Sequence, residues 1–248
     1  MQLSSPQKKL GVLAGMGPAA GAEFLRLLTV KAPAERDQDH PIVYLLSDAQ
    51  VPDRVAAIAG HGEDPTERLR QRLVTIAGWG VDYLTVPCNT AHLFIDRFRD
   101  SLPIPLIHIV EETIKSCMRL SPKGAWLLAT TGTCQCGLYQ QYAQKLGYTF
   151  FEVDAARQTR VQECVVLVKA NKMPESGQLM RSIVEELWAE NDVCAATACT
   201  ELPLAYDASG LPADRSVSSL GALSDACLSA IYGDAYVRRL FSCSGQHK

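Results

Sequence analysis

The chain predicts an α/β protein built from two pseudo-symmetric halves, each a parallel sheet covered by helices, with a cleft between them. Three observations carry this expectation. Short apolar runs alternate with stretches of helical apolar spacing, which implies parallel strands joined by helical crossovers. The alternation restarts half-way along the 248 residues. Two segments with one cysteine each, Val86-Pro87-Cys88-Asn89-Thr90-Ala91-His92 and Ala196-Thr197-Ala198-Cys199-Thr200-Glu201-Leu202-Pro203, occupy matching places, their cysteines 111 residues apart.

Residues 11–14 (Gly-Val-Leu-Ala) read as a buried strand, Gly15-Met16-Gly17-Pro18 as a loop, and 19–29 as a helix with apolar residues at Phe24, Leu25, Leu27 and Leu28. A second strand over 42–46 runs into Ser47-Asp48-Ala49-Gln50. A helix over 67–79 stops at Gly80. The third strand, 83–86, leads to Cys88. A helix over 90–100 and a fourth strand over 104–109 follow. The second half opens with a strand at 124–129, the loop Thr130-Thr131-Gly132-Thr133 and a helix over 138–146. A strand at 148–153, a helix over 177–190 and a strand at 193–198 then lead to Cys199.

The opening strands start 113 residues apart, close to the spacing of the cysteines, and two landmarks sharing one offset argue for a duplicated unit. A helical stretch at 220–232 is too short for a domain and is expected to pack back on the first half. The division is 1–112 plus 213–248 for the first unit and 113–212 for the second.

A net charge of −3 gives no basic excess to hold a phosphate backbone, so nucleic acid is not an expected partner. No stretch reaches the length of a membrane span. The apolar run after Lys8-Lys9 is broken by Gly15, Gly17 and Pro18, as in a buried strand running into a loop rather than a signal peptide. Nine irregularly spaced cysteines fit reduced thiols in a cytoplasmic protein better than a disulfide framework. Cys134-Gln135-Cys136 lacks the partner pair that a zinc site needs, and no metal is expected.

Cys88 and Cys199 both follow the carboxyl end of a strand, where parallel sheets bind ligands. Facing halves would bring the two thiols to one cleft, one thiolate taking a proton from a carbon while the thiol opposite delivers one. A free thiol has a pKa of roughly 8.5, lowered by cations and helix N-termini. The helix beginning near Thr90 would set its positive end beside Cys88, and Glu201 could serve Cys199 as a proton partner. Two buried structural cysteines, or one nucleophilic cysteine with His92 as base, are the competing readings. The backbone at Gly15-Met16-Gly17, which lacks dinucleotide-binding spacing, and Thr130, Thr131 and Thr133 could hold a carboxylate. Arg54, in Val51-Pro52-Asp53-Arg54, and Lys169, in the second half, could take the same anion.

At these residues the chain resembles the cofactor-independent aspartate/glutamate racemase family, in its aspartate racemase branch. The similarity runs through Gly15-Met16-Gly17-Pro18, Arg36-Asp37-Gln38-Asp39-His40, Val51-Pro52-Asp53-Arg54, Pro87-Cys88-Asn89-Thr90-Ala91-His92, Thr130-Thr131-Gly132-Thr133, Gly137-Leu138-Tyr139 and Cys199-Thr200-Glu201-Leu202-Pro203-Leu204. The resemblance implies catalysis by Cys88 and Cys199, no pyridoxal phosphate, no metal and a homodimer. It implies that Arg54 and Lys169 recognise a side-chain carboxylate, while Met16, Asn89, Thr90, Thr133 and Thr200 surround the α-carboxylate and amine of an acidic amino acid. Gln50, Thr130 and Glu201 complete the expected substrate-binding set. Ala14 and Ala198 stand where the family often has glycine, and Thr131 where it often has a larger polar residue. Retention of both cysteines is what a two-way racemase requires. Aspartate, glutamate and a wider range of amino acids all remain open as substrates, as do a maleate-type isomerisation, a decarboxylation and a non-catalytic protein that binds acidic amino acids.

Overall fold

The computed structural model describes residues 6, 8–233 and 236. The first half contains β1 (Lys9–Ala14), α1 (Pro18–Lys31), β2 (Ile42–Ser47), α2 (Arg54–Ile58), α3 (Thr66–Ala77), β3 (Tyr83–Thr85), α4 (His92–Ile95) and β4 (Leu106–Ile107). Helix α5 (Ile109–Leu120) crosses to the second half. There follow β5 (Ala125–Leu128), α6 (Thr131–Gln135), α7 (Leu138–Leu146), β6 (Phe150–Glu152), α8 (Ala155–Lys169), α9 (Met173–Glu190), β7 (Cys194–Thr197), α10 (Leu202–Ser209), β8 (Ser216–Ser218) and α11 (Ser219–Tyr232).

The strands form two parallel sheets of identical order, β2-β1-β3-β4 and β6-β5-β7-β8. The repeat expected from the sequence is therefore a repeat of topology. Strand β1 from Leu10 onward and the whole of β5 are apolar because both faces of each sheet are covered. On β1, Leu10, Val12 and Ala14 face one way and Leu13 the other. On β5, Ala125 and Leu127 alternate with Trp126 and Leu128. The inward-facing sets of both sheets meet in one central core with residues of α5, α7 and α11, so the halves share a hydrophobic interior. Each sheet's other face carries its own cluster: α3 and α4 on the first, α8, α9 and α10 on the second.

Several expected elements change on folding. The helix expected over 90–100 contracts to the single turn of α4. The strand expected over 104–109 shrinks to two residues, because Pro105 cannot donate to a ladder and His108 caps the next helix. The freed Ile109 starts α5, which had no counterpart in the sequence reading. Thr130-Thr131-Gly132-Thr133 is the start of a one-turn helix rather than a loop, capped by the Thr130 side chain, which accepts from the Thr133 N–H. The C-terminal helix packs against α1 and α5, and residues 216–218, grouped by sequence with the first unit, pair with β7 in the second sheet. Residues 234–235 and 237–248 of that grouping, Cys243 included, lie outside the described residues.

The turn after β2 carries Arg54 and is held by Asp48. The Asp48 carboxylate accepts from Arg68 (2.9 and 3.0 Å), from Arg72 (2.7 Å) and from the Gln50 N–H (3.0 Å). Gly15 lies against its backbone at a φ of +101°, where a Cβ would come within 2.5 Å of the Asp48 carbonyl carbon. Arg68 first, then Arg72, hold the Asp48 pKa down to about 2 against the opposing effect of burial. A depressed carboxylate stabilises the fold above its unfolded pKa, and that contribution is lost as pH falls through about 2. The arginines are partly exposed, which discounts the effect to about 1–2 kcal/mol. Asp48→Asn is therefore expected to lower stability by that amount at pH 7 in urea unfolding, with the gap closing toward pH 2. A gap that stays constant across this range would show that the pairing contributes nothing.

Candidate active site

Strands β3 and β7 occupy equivalent places in the two sheets, and each delivers a cysteine just past its carboxyl end. Cys88 and Cys199 are both buried, at 6% exposure. The eight cysteines among the described residues are all free thiols.

The surroundings of the two sulfurs differ in sign. Burial pushes the Cys88 thiol up, while the charge of Arg54, and next the nearby Ala91 N–H, act to lower it. Burial pushes Cys199 well above the ordinary thiol range, and the Glu201 carboxylate adds to this. The Cys199 thiol lies 3.0 Å from Glu201 Oε2 and donates to it, and the Thr200 hydroxyl donates to the same oxygen at 3.2 Å. The charge of Glu201 is also felt at Cys88, and that of Lys169 at Cys199. A Cβ on Gly17, in the loop after β1, would lie 3.7 Å from Glu201 Oε1, so the first half's glycine loop faces the second half's carboxylate.

Direct bonds tie the halves together around the cysteines. The Thr90 and Thr133 hydroxyls lie 3.0 Å apart, and Thr133 is 2.9 Å from the Thr130 hydroxyl. Asn89 accepts from the Tyr139 hydroxyl at 2.6 Å and donates to Ser219 at 3.1 Å. Each of these side chains is at least nine-tenths buried. Met16 packs with Val51 and Cys88 in the first half's outer cluster, and Cys199 sits in the corresponding cluster of the second.

Two cations border this assembly. Arg54 opens α2 and donates through Nη1 to the carbonyls of Val51 and Pro52, each at 3.0 Å. Lys169 ends α8 and is exposed. Neither forms an ion pair with a carboxylate among the described residues. Gln50 lies farther out. It is exposed and its Oε1 accepts from Arg68 at 3.2 Å, with no hydrogen bond to either cysteine among the described residues.

The arrangement thus brings together Met16, Arg54, Asn89, Thr90, Thr130, Thr133, Thr200, Glu201 and the two cysteines, with Lys169 at the edge and Gln50 in the arginine-held turn. Sequence reasoning did not single out Tyr139 or Ser219 as site residues. Tyr139 sits within the quoted Gly137-Leu138-Tyr139 segment, which was a usable signal. Ser219 follows a strand of only three residues and carried none. The helix expected to set a macrodipole beside Cys88 is the single turn of α4, too short for one.

Comparison with known proteins gives a consistent set of matches. A family profile described as Asp/Glu/Hydantoin racemase matches residues 13–216. The broad specificity amino-acid racemase RacX of Bacillus subtilis (strain 168) is 29% identical over 202 residues, spanning 80% of this chain and 87% of that protein. The glutamate racemase of Aquifex pyrophilus is 26% identical over 188 residues, 72% of this chain and 67% of that one. Among solved structures, the aspartate racemase of Picrophilus torridus has a TM-score of 0.80 at 25% identity, covering 93% of this chain and 98% of its own.

Proposed function

The chain belongs to the Asp/Glu/hydantoin racemase family, and we propose that it interconverts the L and D forms of aspartate or glutamate by proton transfer between Cys88 and Cys199, without pyridoxal phosphate or metal. The observation that carries this reading is the pair of buried thiols at equivalent strand ends, each within the field of a cation that has no carboxylate partner.

The substrate's α-carbon lies between the sulfurs. From the L form, Cys199 as thiolate removes the α-proton and Cys88 as thiol delivers one to the opposite face. From the D form the roles exchange. This allocation of faces follows the family resemblance. Glu201 Oε2, already accepting from the Cys199 thiol, is placed to take that proton and generate the thiolate. Arg54 and the Ala91 N–H stabilise the thiolate of Cys88. Thr90, Thr133, Asn89 and Thr200 bind the α-carboxylate and amine, and Arg54 and Lys169 take the side-chain carboxylate. A cytoplasmic homodimer accompanies this reading on the strength of the resemblance. No helix among the described residues is long and apolar enough to cross a membrane.

The similarity to a broad specificity racemase favours a second reading, in which the substrate range extends beyond acidic amino acids. Incubating purified protein with single L-amino acids, and measuring the D enantiomer by chiral chromatography after treatment with hydroxylamine and EDTA, tests both. D-aspartate or D-glutamate should form. Inversion of neutral amino acids alone would reject the acidic-substrate reading, and no inversion of any amino acid would reject racemisation.

The reaction needs one thiolate and one thiol together, so the rate should be bell-shaped in pH, governed by two constants that belong to the coupled pair. Both thiols are pushed up by burial. Below their pKa values both are protonated and no base exists; losing the first proton raises activity and losing the second removes the acid. The maximum is therefore expected on the alkaline side of neutrality. Iodoacetamide should inactivate with the same acid limb, and substrate should protect. A rate independent of pH from 5 to 10 would exclude thiol acid–base chemistry.

A further inference from the structure

His92 lies four residues after Cys88 and is fully buried. Its Nδ1 is 2.8 Å from the Cys88 carbonyl oxygen. A carbonyl only accepts, so Nδ1 carries the proton and Nε2 is bare. Nε2 is buried and has no partner among the described residues. The ring stands edge-to-face on His108, 4.3 Å between centroids. His108 bonds Asp96 at 3.1 Å and packs on Tyr142 of α7, 4.8 Å between centroids. Burial, then His108, keep His92 uncharged, with Asp96 and Arg99 the other charges that act on it. This imidazole is not placed to be the base for Cys88: its proton is committed to a backbone carbonyl and its lone pair is sealed in the interior.

The reason such a bond exists lies in the turn itself. In an ordinary helical start the Cys88 carbonyl would accept from the N–H of residue 91 or 92. Here the His92 N–H goes to the Asn89 carbonyl at 3.0 Å, and among the described residues no backbone N–H bonds the Cys88 carbonyl. The Cys88 carbonyl is left without a backbone donor, and the imidazole supplies one. We infer that His92 is a positioning residue for Cys88: by holding the Cys88 carbonyl it fixes the backbone turn and so the direction in which the thiol enters the cleft. Without that bond, the Cys88 carbonyl would lack its donor and the turn would shift to satisfy it, moving the sulfur with it.

The inference deepens the proposed function and rests on it for its activity arm, whereas its labelling arm does not. Asparagine places an amide nitrogen where Nδ1 sits, and glutamine places one where Nε2 sits. His92→Asn should keep kcat within about threefold of wild type, with an unchanged pH profile and an unchanged rate of iodoacetamide labelling at Cys88, read by peptide mass spectrometry. His92→Gln should lose kcat by about tenfold or more at similar KM, and Cys88 labelling should slow with it. Equal kcat and equal labelling in His92→Gln and wild type would overturn the inference. So would loss of the acid limb in both variants, which would make His92 a base. Should the wild type prove not to racemise, Cys88 labelling in the two variants still decides the positioning role. Should either variant fail to fold, nitrogen–proton correlation spectra of the wild type decide it: the Nδ1–H tautomer, unchanged from pH 5 to 9, is expected, and an Nε2–H tautomer or a titrating ring would overturn it.

Discussion

Replacing either Cys88 or Cys199 with alanine is expected to lower racemisation in both directions by a factor of about 10³ or more, in the upper part of the range for loss of an acid–base group. Each turnover uses one sulfur as base and the other as acid, so removing either breaks the cycle whichever enantiomer is supplied. The more telling result is what remains. A variant with Cys88 alone retains the base for the D form, can remove its α-proton and can return a solvent deuteron to the same face. Cys199→Ala should therefore wash deuterium into D-aspartate or D-glutamate in heavy water without inverting it, and Cys88→Ala should do so for the L form. Proton NMR of the α position, combined with chiral chromatography, separates exchange from inversion. The two variants need not exchange equally well. Cys199 depends on Glu201 to accept its proton, whereas Cys88 has Arg54 and an amide to stabilise its anion, so exchange of the D form should be the faster. A Cys88→Ala protein that racemises near the wild-type rate would end the two-thiol account.

The parts of this fold legible in the sequence are those where local pattern and tertiary demand agree. Strands covered on both faces must be apolar along their length, and β1, β5 and β7 could be read for that reason. Helix α7 spans Leu138–Leu146, as its spacing predicts, and stops at Gly147, which takes a left-handed conformation. Helix α5 was hidden because the largely apolar residues 104–109 mimic a strand, although Pro105 interrupts them. Helix α8 has a clear start in Asp154, whose side chain accepts from the Arg157 N–H, but the apolar spacing over 155–169 is diluted by charge. Strand β8 is Ser-Val-Ser, and only its ladder with β7 makes it a strand. The same division holds at the site. A cysteine at a strand end followed by polar residues is a local signal. The bonds from Tyr139 and Ser219 to Asn89 join residues 50 and 130 positions apart and exist only once the halves have closed. The grip of His92 on the Cys88 carbonyl is local in sequence, yet it becomes intelligible only when the backbone of the turn is seen to leave that carbonyl without a donor.

Arg54→Ala is expected to reduce kcat/KM for aspartate or glutamate by about 10²-fold or more, and Arg54→Lys to recover only part of that loss. The α-proton of an amino acid is a very weak acid when it lies beside a carboxylate. Binding energy from the far carboxylate must therefore help hold the carbon between the sulfurs while charge develops. Arg54 is built into that task twice. Its Nη1 is tied to two carbonyls of the turn after β2, at 3.0 Å each, which fixes the guanidinium and leaves its remaining N–H groups for an anion. The same guanidinium lowers the pKa of Cys88. Lysine can supply charge but cannot bond two carbonyls and a carboxylate with one planar group. The two roles separate kinetically. Loss of carboxylate binding raises KM for acidic substrates only, whereas loss of support for the Cys88 thiolate shifts the acid limb of the pH profile upward for every substrate, since a thiol freed of a neighbouring cation gives up its proton at higher pH. Lys169→Ala should raise KM for acidic substrates and leave the Cys88 limb where it is, because Lys169 acts on Cys199 from the other half. Alanine and serine should be poor substrates of the wild type. If the wild type turns over alanine as efficiently as aspartate, or Arg54→Ala leaves aspartate turnover unchanged, these two cations do not select an acidic side chain.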